Sequence, residues 1–379
     1  MRGFWKERSF GKSKTYIMSF KTTTESKSLT EGVLSKMSDM EHEQVMFCHD
    51  KKTGLKAIIA IHNTVLGPAL GGVRMWNYKT EEEALNDVLR LSRGMTYKAA
   101  ITGLNLGGGK AVIIGDAKTQ KNEALMRRFG QFVQTLGGKY ITAEDVGMET
   151  QDMVYIKKET NYVTGLPEEM GGNGNPSPVT AYGVYMGMKA SAKFVWNTDS
   201  LAGKKVLVQG TGNVGETLID YLTKENATVY VNDINEERVK NIVSKYNAVA
   251  VSGDIYSEEV DIYAPCALGA TLNSETIPQL RCSIVSGAAN NQLLDEKLHG
   301  QMLKDKGIIY APDFLINAGG IITVYAELAG YNKQKTMEET ATIYDTTLNI
   351  LNTAKEQNIT TAKAALNVAM ARIEVARKN

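Results

Sequence analysis

The sequence predicts an α/β protein of two domains, and three observations lead to this prediction. Short apolar segments typical of buried strands alternate with amphipathic segments typical of helices along most of the chain. A stretch rich in glycine, proline and asparagine, GLPEEMGGNGNPSPVT at 165–180, interrupts this alternation and is typical of a connection between domains. The chain has 379 residues, a length that favours two domains over one.

The segments before this connection predict an α/β domain. QVMFCHD and LKAIIAIHNT predict two strands around a turn at 52–54. TEEEALNDVLRLSRG predicts a helix that Thr80 caps, with Glu83 completing a capping box and Gly94 ending the helix. KAVIIGD predicts a buried strand, NEALMRRFGQFVQTLGG a helix, and KYITAEDVG a strand that leads into a loop.

The segments after the connection predict a second α/β domain. We expect a helix over 181–195, strands at 206–209 and 228–231, and further short strands in VDIYAP, CSIVSG and GIIYAPD. The C-terminal 40 residues predict two amphipathic helices. These helices are expected to pack back against the first domain.

Composition excludes several classes of function. The net charge is +1, from 43 basic and 42 acidic residues, so no field of one sign recruits nucleic acid or a membrane surface. The 3 cysteines and 4 histidines lack the spacing of a disulfide framework or a metal site, and no apolar run approaches a membrane span. Residues 1–30 are basic and rich in serine and threonine, which predicts a disordered extension. We therefore expect a cytoplasmic protein that binds small molecules.

The strongest motif follows the strand predicted at 206–209. That strand enters a Gly-x-Gly-x-x-Gly turn, a helix follows, and a second strand ends at Asp233, 23 residues after the first glycine. In this order the glycines let the backbone approach a pyrophosphate, and the helix amides face the phosphates. A carboxylate at Asp233 favours NAD over NADP because it repels a 2′-phosphate, although a purely structural turn is an alternative interpretation. The predicted cofactor residues are Gly210, Gly212, Asn213, Val214, Gly215 and Asp233.

A second glycine-rich stretch, GLNLGGGKAVIIGD at 103–116, brings Lys110 to an apolar run. It is not a Walker loop, because Leu104 stands where the first glycine should be and no hydroxyl follows the lysine. A lysine that extends into solvent is one interpretation. The other is an amino-acid site shared with Lys98 and Asp145, in which one ammonium holds a carboxylate and a second, desolvated beside another cation, acts as a base.

Several motifs resemble those of the Glu/Leu/Phe/Val dehydrogenase superfamily. They are highly specific and extend from about residue 40 to near the C-terminus: GPALGGVRMW, GMTYKAAITGLNLGGGK, TAEDVG, GNPSPVTAYGV, QGTGNVG, YAPCALGA, ANNQL and APDFLINAGG. One departure is Gly215, where many leucine-specific members have alanine, and the dinucleotide-binding pattern accepts either. The resemblance implies a catalytic and oligomerisation domain over 31–170 and 331–379, a Rossmann NAD-binding domain over 171–330, and an active site in the cleft between them.

The resemblance also implies roles for individual residues. Lys98 is expected to bind the substrate carboxylate, helped by Gly71 and Gly72. Lys110 is the expected catalytic lysine, and Asp145 the expected catalytic carboxylate. The further cofactor contacts that the resemblance implies are Thr180, Cys266, Ala267 and Asn290, the last near the nicotinamide carboxamide.

The reaction implied is the reversible, NAD-dependent oxidative deamination of L-leucine and other branched-chain L-amino acids to 2-oxo acids and ammonia. Asp145 or Lys110 takes a proton from the substrate ammonium, hydride leaves Cα for NAD, and Lys110 activates the water that attacks the imine. Which group moves each proton stays open, because coupled groups titrate as a pair. The apolar residues expected to line the side-chain pocket and exclude glutamate are Leu70, Ala143, Ile321 and Val324.

The resemblance further predicts a homo-oligomer, with an octamer as the expected assembly, and domain closure over the bound pair. A protein of a different class would be a nucleotide-sensing regulator that keeps the dinucleotide fold without turnover. The presence of Lys98, Lys110 and Asp145 together favours the enzyme.

Overall fold

The computed structural model describes residues 32–378, so the extension predicted at 1–30 lies outside the described residues. The described chain forms two sheets, one before and one after the connection at 165–180, and helices pack on the faces of both. The fold is a two-domain α/β fold, as predicted.

The first domain is built on a five-stranded sheet in the order β1-β2-β4-β3-β5. β1 and β2 form an antiparallel hairpin, β2 pairs antiparallel with β4, and β3 pairs in parallel with β4 and β5. One face of the sheet packs against α3 and α4, and the other face packs against α2. The elements are α1 (Val33–Asp39), β1 (Gln44–Asp50), β2 (Leu55–Asn63), β3 (Ala69–Trp76), α2 (Glu81–Ile101), β4 (Gly107–Ile114), α3 (Glu123–Thr135), β5 (Tyr140–Glu144) and α4 (Thr150–Lys157).

Helix α2 is longer than predicted. It continues past Gly94, which is exposed, and ends at Ile101. The buried face beyond Gly94, which includes Thr96 and Ala100, packs on β4 and offsets the cost of about 1 kcal/mol for a helical glycine. The prediction that Gly94 ends the helix is wrong because packing outweighs local propensity.

The start of α2 agrees with the prediction in one of its two hydrogen bonds. Thr80 Oγ1 accepts from the backbone N of Glu83 at 3.0 Å, as a capping residue does. The Glu83 carboxylate accepts from the backbone N of Lys79 at 2.8 Å, one residue before the position that a capping box requires. Strand β3 and helix α4 were not predicted, and glycines in the centre of β3 weaken its strand signal.

The second domain is built on a six-stranded sheet in the order β11-β10-β9-β6-β7-β8, and all of its strand pairs are parallel. The strand order reverses between β6 and β9, and ligands of open α/β sheets bind outside the carboxyl ends of the strands at such a point. The elements are α5 (Ser177–Trp196), β6 (Lys205–Gln209), α6 (Asn213–Lys224), β7 (Thr228–Asn232), α7 (Glu236–Tyr246), β8 (Val249–Ala250), β9 (Ile262–Pro265), β10 (Ile284–Val285), α8 (Glu296–Asp305), β11 (Ile309–Tyr310), α9 (Asp313–Ile316) and α10 (Gly319–Ala329).

Three C-terminal helices complete the fold: α11 (Lys333–Ala341), α12 (Ile343–Glu356) and α13 (Thr361–Arg377). α12 packs along α5, and α13 packs along α2 in the first domain. A single apolar core runs from Ala100 of α2 through Val184 of α5 to Ala365 of α13. None of the described helices has the length and the apolar character that crossing a membrane would require.

Candidate active site

Lys98 and Lys110 come close together because α2 lies directly on β4. Lys98 is in the last turn of α2, and Lys110 is within β4. A Cβ on Gly108 would lie 2.1 Å from Thr96 Oγ1 and 2.2 Å from the Thr96 backbone N, so only glycine permits this packing. Gly108, in the run before Lys110, therefore provides the contact surface for a helix. Lys110 is 5% exposed and does not extend into solvent.

Lys110 and Asp145 form a buried ion pair. Lys110 Nζ lies 3.0 Å from Asp145 Oδ1. Burial lowers the pKa of the Lys110 ammonium, and the carboxylate of Asp145 opposes this shift. Lys110 therefore loses its proton more easily than an exposed lysine, and the carboxylate of Asp145 lies beside it. Such a pair can accept a proton from a ligand and return it.

Arg74 is the second cation on Asp145, and the sequence analysis did not identify it. Its Nε donates to Asp145 Oδ2 at 2.8 Å, and its Nη1 donates to Asp87 Oδ2 at 3.1 Å. Burial opposes the charged form of Asp145, but Lys110 and Arg74 together outweigh burial and lower its pKa. Arg74 lies two residues after Gly72 and so on the same face of β3. Because β3 itself was not predicted, this spacing gave no usable signal in the sequence.

Lys98 is held by asparagines from the second domain. Its Nζ donates to Asn317 Oδ1 at 2.8 Å and to Asn290 Oδ1 at 3.3 Å. Burial lowers the pKa of Lys98 to about 8, with the charge of Lys110 acting in the same direction and the nearby carboxylate of Asp313 opposing it. Asn317 and Asp313 were quoted in the APDFLINAGG motif but were not predicted as site residues. The ammonium of Lys98 can hold an anionic group of a ligand in the cleft between the domains.

The glycine turn after β6 has the close contacts that a dinucleotide site requires. Gly210 has a φ of 101°, and a Cβ on it would lie 2.8 Å from Ala267 Cβ. A Cβ on Gly215 would lie 2.0 Å from Gly210 O, so the start of α6 lies against the turn. Space is open at Gly212, and α6 begins at Asn213 with Val214 in its first turn. The turn therefore fits a pyrophosphate at the N-terminus of α6.

Asp233 lies directly after β7, beside this turn. Its Oδ2 accepts from the backbone N of Thr211 at 2.7 Å and from its hydroxyl at 3.0 Å, and its Oδ1 accepts from Asn235 N at 2.9 Å. Burial opposes the charge, but these hydrogen bonds outweigh it and lower the pKa of Asp233. The partly exposed carboxylate keeps further acceptor sites for hydroxyl donors.

The remaining predicted cofactor residues lie around the same cleft. Cys266 follows β9, its Cβ lies 3.7 Å from the position of a Cβ on Gly215, and burial raises its pKa to about 12. Its thiol is therefore a neutral packing group. Thr180 lies in the first turn of α5 beside the start of α10, and its hydroxyl donates to Pro176 O at 3.1 Å. Asn290 faces Lys98, as described above.

Two family models match the chain. The model described as the Glu/Leu/Phe/Val dehydrogenase dimerisation domain matches residues 42–162. The model described as Glutamate/Leucine/Phenylalanine/Valine dehydrogenase matches residues 171–235 and 230–379. The chain belongs to the Glu/Leu/Phe/Val dehydrogenase family.

The relatives of this chain are named for different amino-acid substrates. The chain is 56% identical to leucine dehydrogenase of Geobacillus stearothermophilus over 90% of this chain and 93% of the relative. It is 50% identical to phenylalanine dehydrogenase of Caldalkalibacillus thermarum over 86% of this chain and 89% of the relative. The crystal structure of L-tryptophan dehydrogenase from Nostoc punctiforme superposes with a TM-score of 0.82 at 46% identity, over 92% of this chain and all of that one.

These matches confirm the predicted superfamily and make the chain an amino-acid dehydrogenase. NAD is the cofactor of the leucine and related dehydrogenases of this family, and the glycine turn described above fits it. When bound, NAD supplies the acceptor for a hydride. Within residues 32–378 no group of three or more histidine, cysteine, aspartate or glutamate side chains could hold a metal ion.

The four predicted pocket residues of this family member are apolar, and three are buried. Leu70 of β3 and Ile321 of α10 belong to one continuous apolar cluster, and Val324 packs against it. Ala143 of β5 is the register partner of Gly72 in β3, close to the start of the Asp145 loop. A Cβ on Gly71 would lie 1.8 Å from Gly109 O, so Gly71 keeps β3 and β4 in close contact.

Proposed function

We propose that this chain catalyses the NAD-dependent, reversible oxidative deamination of L-leucine and other branched-chain L-amino acids to 2-oxo acids and ammonia. The buried ion pair between Lys110 and Asp145, with Lys98 nearby, is the observation that carries the proposal. The leucine dehydrogenase relatives at 52–56% identity support leucine among the substrates named in the family.

Lys98 anchors the substrate carboxylate. Its ammonium is already oriented by Asn317 and Asn290, so binding requires little rearrangement. An added carboxylate beside Lys98 raises its pKa again, which keeps the anchor charged during turnover. Gly71 and Gly72 leave the floor of the site free of side chains.

Lys110 and Asp145 move the protons. In the forward direction the substrate ammonium loses a proton to one member of this pair, which frees the lone pair on nitrogen. Hydride leaves Cα for the bound NAD, which gives an imine. The neutral amine of Lys110 removes a proton from the water that attacks the imine carbon, and Lys110 returns that proton to the departing ammonia. Arg74 holds Asp145 in place throughout by its 2.8 Å hydrogen bond.

The cofactor is held by the turn at 210–215 and by groups around it. Gly210, Gly212 and Gly215, with the α6 amides of Asn213 and Val214, hold the pyrophosphate. Asp233 accepts from the adenosine ribose, and Thr180, Cys266, Ala267 and Asn290 contribute to the nicotinamide end. Residues 31–170 with 331–379 then act as the catalytic domain, and 171–330 as the NAD-binding domain.

The side-chain pocket accepts branched apolar groups. Leu70, Ala143, Ile321 and Val324 offer no partner to a glutamate carboxylate, which would be buried unpaired at a cost of several kcal/mol. One methylene in an apolar pocket is worth about 1–3 kcal/mol, so leucine, valine and isoleucine should all react. We further propose a cytoplasmic homo-octamer, since a net charge of +1 does not oppose self-association.

Reduction of NAD on addition of L-leucine tests the proposal. NADH absorbance should rise with leucine, valine or isoleucine, and ammonia should appear in equal amount. A chain that binds NAD but reduces none of it with any amino acid would instead be a nucleotide-sensing protein. A kcat/KM for phenylalanine, tryptophan or glutamate above that for every branched-chain substrate would refute the substrate assignment.

A further inference from the structure

The C-terminal helix α13 brings Arg372 to the segment that joins the two active-site lysines. Lys98 is in the last turn of α2, and Lys110 lies 12 residues later in β4. Between them the chain turns at 102–106 and then enters the glycine run. Any shift of this turn therefore moves both ammonium groups.

The guanidinium of Arg372 lies within hydrogen-bond distance of five acceptors in this segment. Its Nη1 contacts backbone carbonyl oxygens at the end of α2 and in the turn, and its Nη2 contacts only the turn. The acceptors are Leu104 O at 2.7 Å, Gly103 O at 2.8 Å, Asn105 Oδ1 at 3.0 Å, Ala100 O at 3.1 Å and Ala99 O at 3.3 Å.

Two of these acceptors, Ala99 O and Ala100 O, also accept the backbone hydrogen bonds that end α2. Gly103 has a φ of 77°, and its backbone N donates to Ala100 O at 3.3 Å, while Leu104 N donates to Ala99 O at 3.1 Å. This is the Schellman arrangement of a helix end. The charge of Arg372 is added at the negative end of the helix, where a cation is stabilised. Within residues 32–378 no carboxylate lies within ion-pair distance of this guanidinium, so its contacts are with peptide and amide oxygens.

We propose that Arg372 is a positioning residue for Lys98 and Lys110. It fixes the turn between the end of α2 and the start of β4, and so sets the separation and burial of the two ammonium groups. The inference rests on the proposed function, because it assigns Lys98 and Lys110 the roles given above.

Arg377 provides a matched control on the same helix. It is an exposed arginine whose Nη1 pairs with Glu374 at 2.8 Å, within α13. Arg377→Ala removes an arginine from the helix without touching α2. Any effect of Arg372→Ala that Arg377→Ala lacks therefore comes from the contacts with the turn.

Arg372→Ala should impair the amino-acid half of the reaction selectively. We expect kcat/KM for leucine to fall about 100-fold, as for a small misplacement of catalytic groups. The Kd for NAD, measured by fluorescence titration, should change less than about twofold, because the glycine turn is built on other elements. Arg377→Ala should match the wild type in both quantities. Equal losses of NAD binding and leucine turnover would show a merely structural role and overturn the proposal.

The pH dependence of kcat/KM distinguishes a positioning role of Arg372 from a simple loss of folded protein in Arg372→Ala. Burial and the charge of Lys110 lower the pKa of Lys98, and burial lowers that of Lys110. A loosened turn admits water, so both pKa values rise and the rising limb of kcat/KM moves to higher pH in Arg372→Ala. A smaller fraction of folded enzyme would lower the curve without moving the limb, and an unmoved limb would contradict the inference.

Labelling of the two amines tests the inference without a substrate. Reaction with acetic anhydride over a pH range, followed by mass spectrometry of peptides, reports the protonation of each lysine. The labelling midpoint of Lys98 should rise in Arg372→Ala, even if the wild type oxidised no branched-chain amino acid. An absence of leucine activity in the wild type would thus refute the proposed function, and an unchanged midpoint would refute the positioning role.

A milder variant covers the case in which Arg372→Ala does not fold. Asn105→Ala removes one acceptor, on an exposed side chain, and keeps the guanidinium. We expect kcat/KM for leucine to fall about threefold in Asn105→Ala. When Asn105→Ala is added to Arg372→Lys, kcat/KM should stay at the value of Arg372→Lys alone, because the two changes act on one contact. Additive effects of these two substitutions would contradict the proposal.

Discussion

Asp145 is the residue at which the charges of the site meet. It lies 3.0 Å from Lys110 and 2.8 Å from Arg74, and these two cations keep it ionised despite burial. Lys110 is held by one carboxylate in a buried site that lowers its pKa. Asp145 is therefore held in its ionised form, and Lys110 loses its proton more easily than an exposed lysine does. Lys98 differs from Lys110 in having amide partners, which suits an anchor better than a base.

Substitution of the two lysines should separate binding from chemistry. Lys98→Ala should mainly raise KM for the amino acid, whereas Lys110→Ala should lower kcat by about two to four orders of magnitude, the usual contribution of a positioned base. Steady-state kinetics with leucine measures both quantities. Lys56→Ala, which removes an exposed lysine of β2, should leave both unchanged. A near-normal kcat in Lys110→Ala would remove Lys110 from the mechanism.

Cofactor choice should depend on the charge of Asp233. Replacing it with serine, together with an arginine introduced nearby, removes the repulsion of a 2′-phosphate and should narrow the preference for NAD over NADP. The ratio of the kcat/KM values for the two cofactors is the measurement. Serine also leaves Thr211 N with a weaker acceptor, so Asp233→Asn serves as a control that keeps the side-chain shape. Equal kcat/KM for both cofactors in the wild type would contradict the role of Asp233.

Helix α2 is the element that assembles the site. Its extension beyond Gly94 carries Lys98 to the cleft, and its contact with Gly108 holds it on β4. Two histidines pack under the same helix: His42 lies 2.8 Å from Ser92 Oγ, and His62 lies 2.8 Å from Thr96 Oγ1. The two histidines thus contact Ser92 and Thr96, the residues that Gly108 also meets, so this packing on one face of α2 supports the position of Lys98.

Two glycines related to α2 should respond in opposite directions to alanine. Gly108→Ala places a methyl group 2.1 Å from Thr96 Oγ1, so the helix must move, and the free energy of unfolding and kcat/KM should both fall. Gly94→Ala meets no atom within 4 Å and should add up to about 1 kcal/mol of stability through helix propensity. Urea unfolding compares the two variants. A tolerated Gly108→Ala would show that α2 does not depend on this contact.

The histidines under α2 should make stability fall in mild acid. Burial lowers the pKa of His42 to about 4 and that of His62 to about 3, from 6.5 in the unfolded chain. Between these values and 6.5 the unfolded chain binds more protons, so stability rises with pH in this window and is lost as pH falls through it. From pH 7 to pH 5, His62→Gln should lose about 2 kcal/mol less free energy of unfolding than the wild type. The exposed His49→Gln should follow the wild type in the same urea titrations.

At the scale of the whole molecule, the site is formed where the two domains meet. Lys98 and Lys110 come from the first domain, and Asn290 and Asn317 come from the second. The residues proposed for the side-chain pocket are likewise shared: Leu70 of β3 and Ala143 of β5 belong to the first domain, and Ile321 and Val324 of α10 belong to the second. Opening of the cleft would separate Lys98 from its amide partners.

Substrate choice should change when both sides of this pocket change together. Leu70→Lys with Val324→Ser introduces a partner for a second carboxylate, so leucine turnover should fall and some glutamate turnover should appear. Leu70→Lys alone buries an unpaired ammonium and should mainly destabilise the protein. Initial rates with leucine and glutamate, together with melting temperatures, measure the effect. Failure of the double variant to accept any glutamate would show that these residues do not line the side-chain pocket.

The glycine turn after β6 and the strands β1 and β2 were predictable because their signals are local. A glycine pattern between a strand and a helix involves neighbours in sequence, and its φ of 101° at Gly210 follows from the turn itself. The apolar segments on either side of the turn at 52–54 likewise predict two strands, and these strands form a hairpin.

The tertiary structure alone decided how the site is held together. Arg74 reaches Asp145 across 71 positions of sequence, Lys98 reaches Asn317 across 219, and Arg372 reaches Leu104 across 268. Such contacts depend on the packing of whole elements, which no local pattern encodes. For the same reason α2 extends past Gly94, since burial against β4 outweighs the local cost of a glycine in a helix.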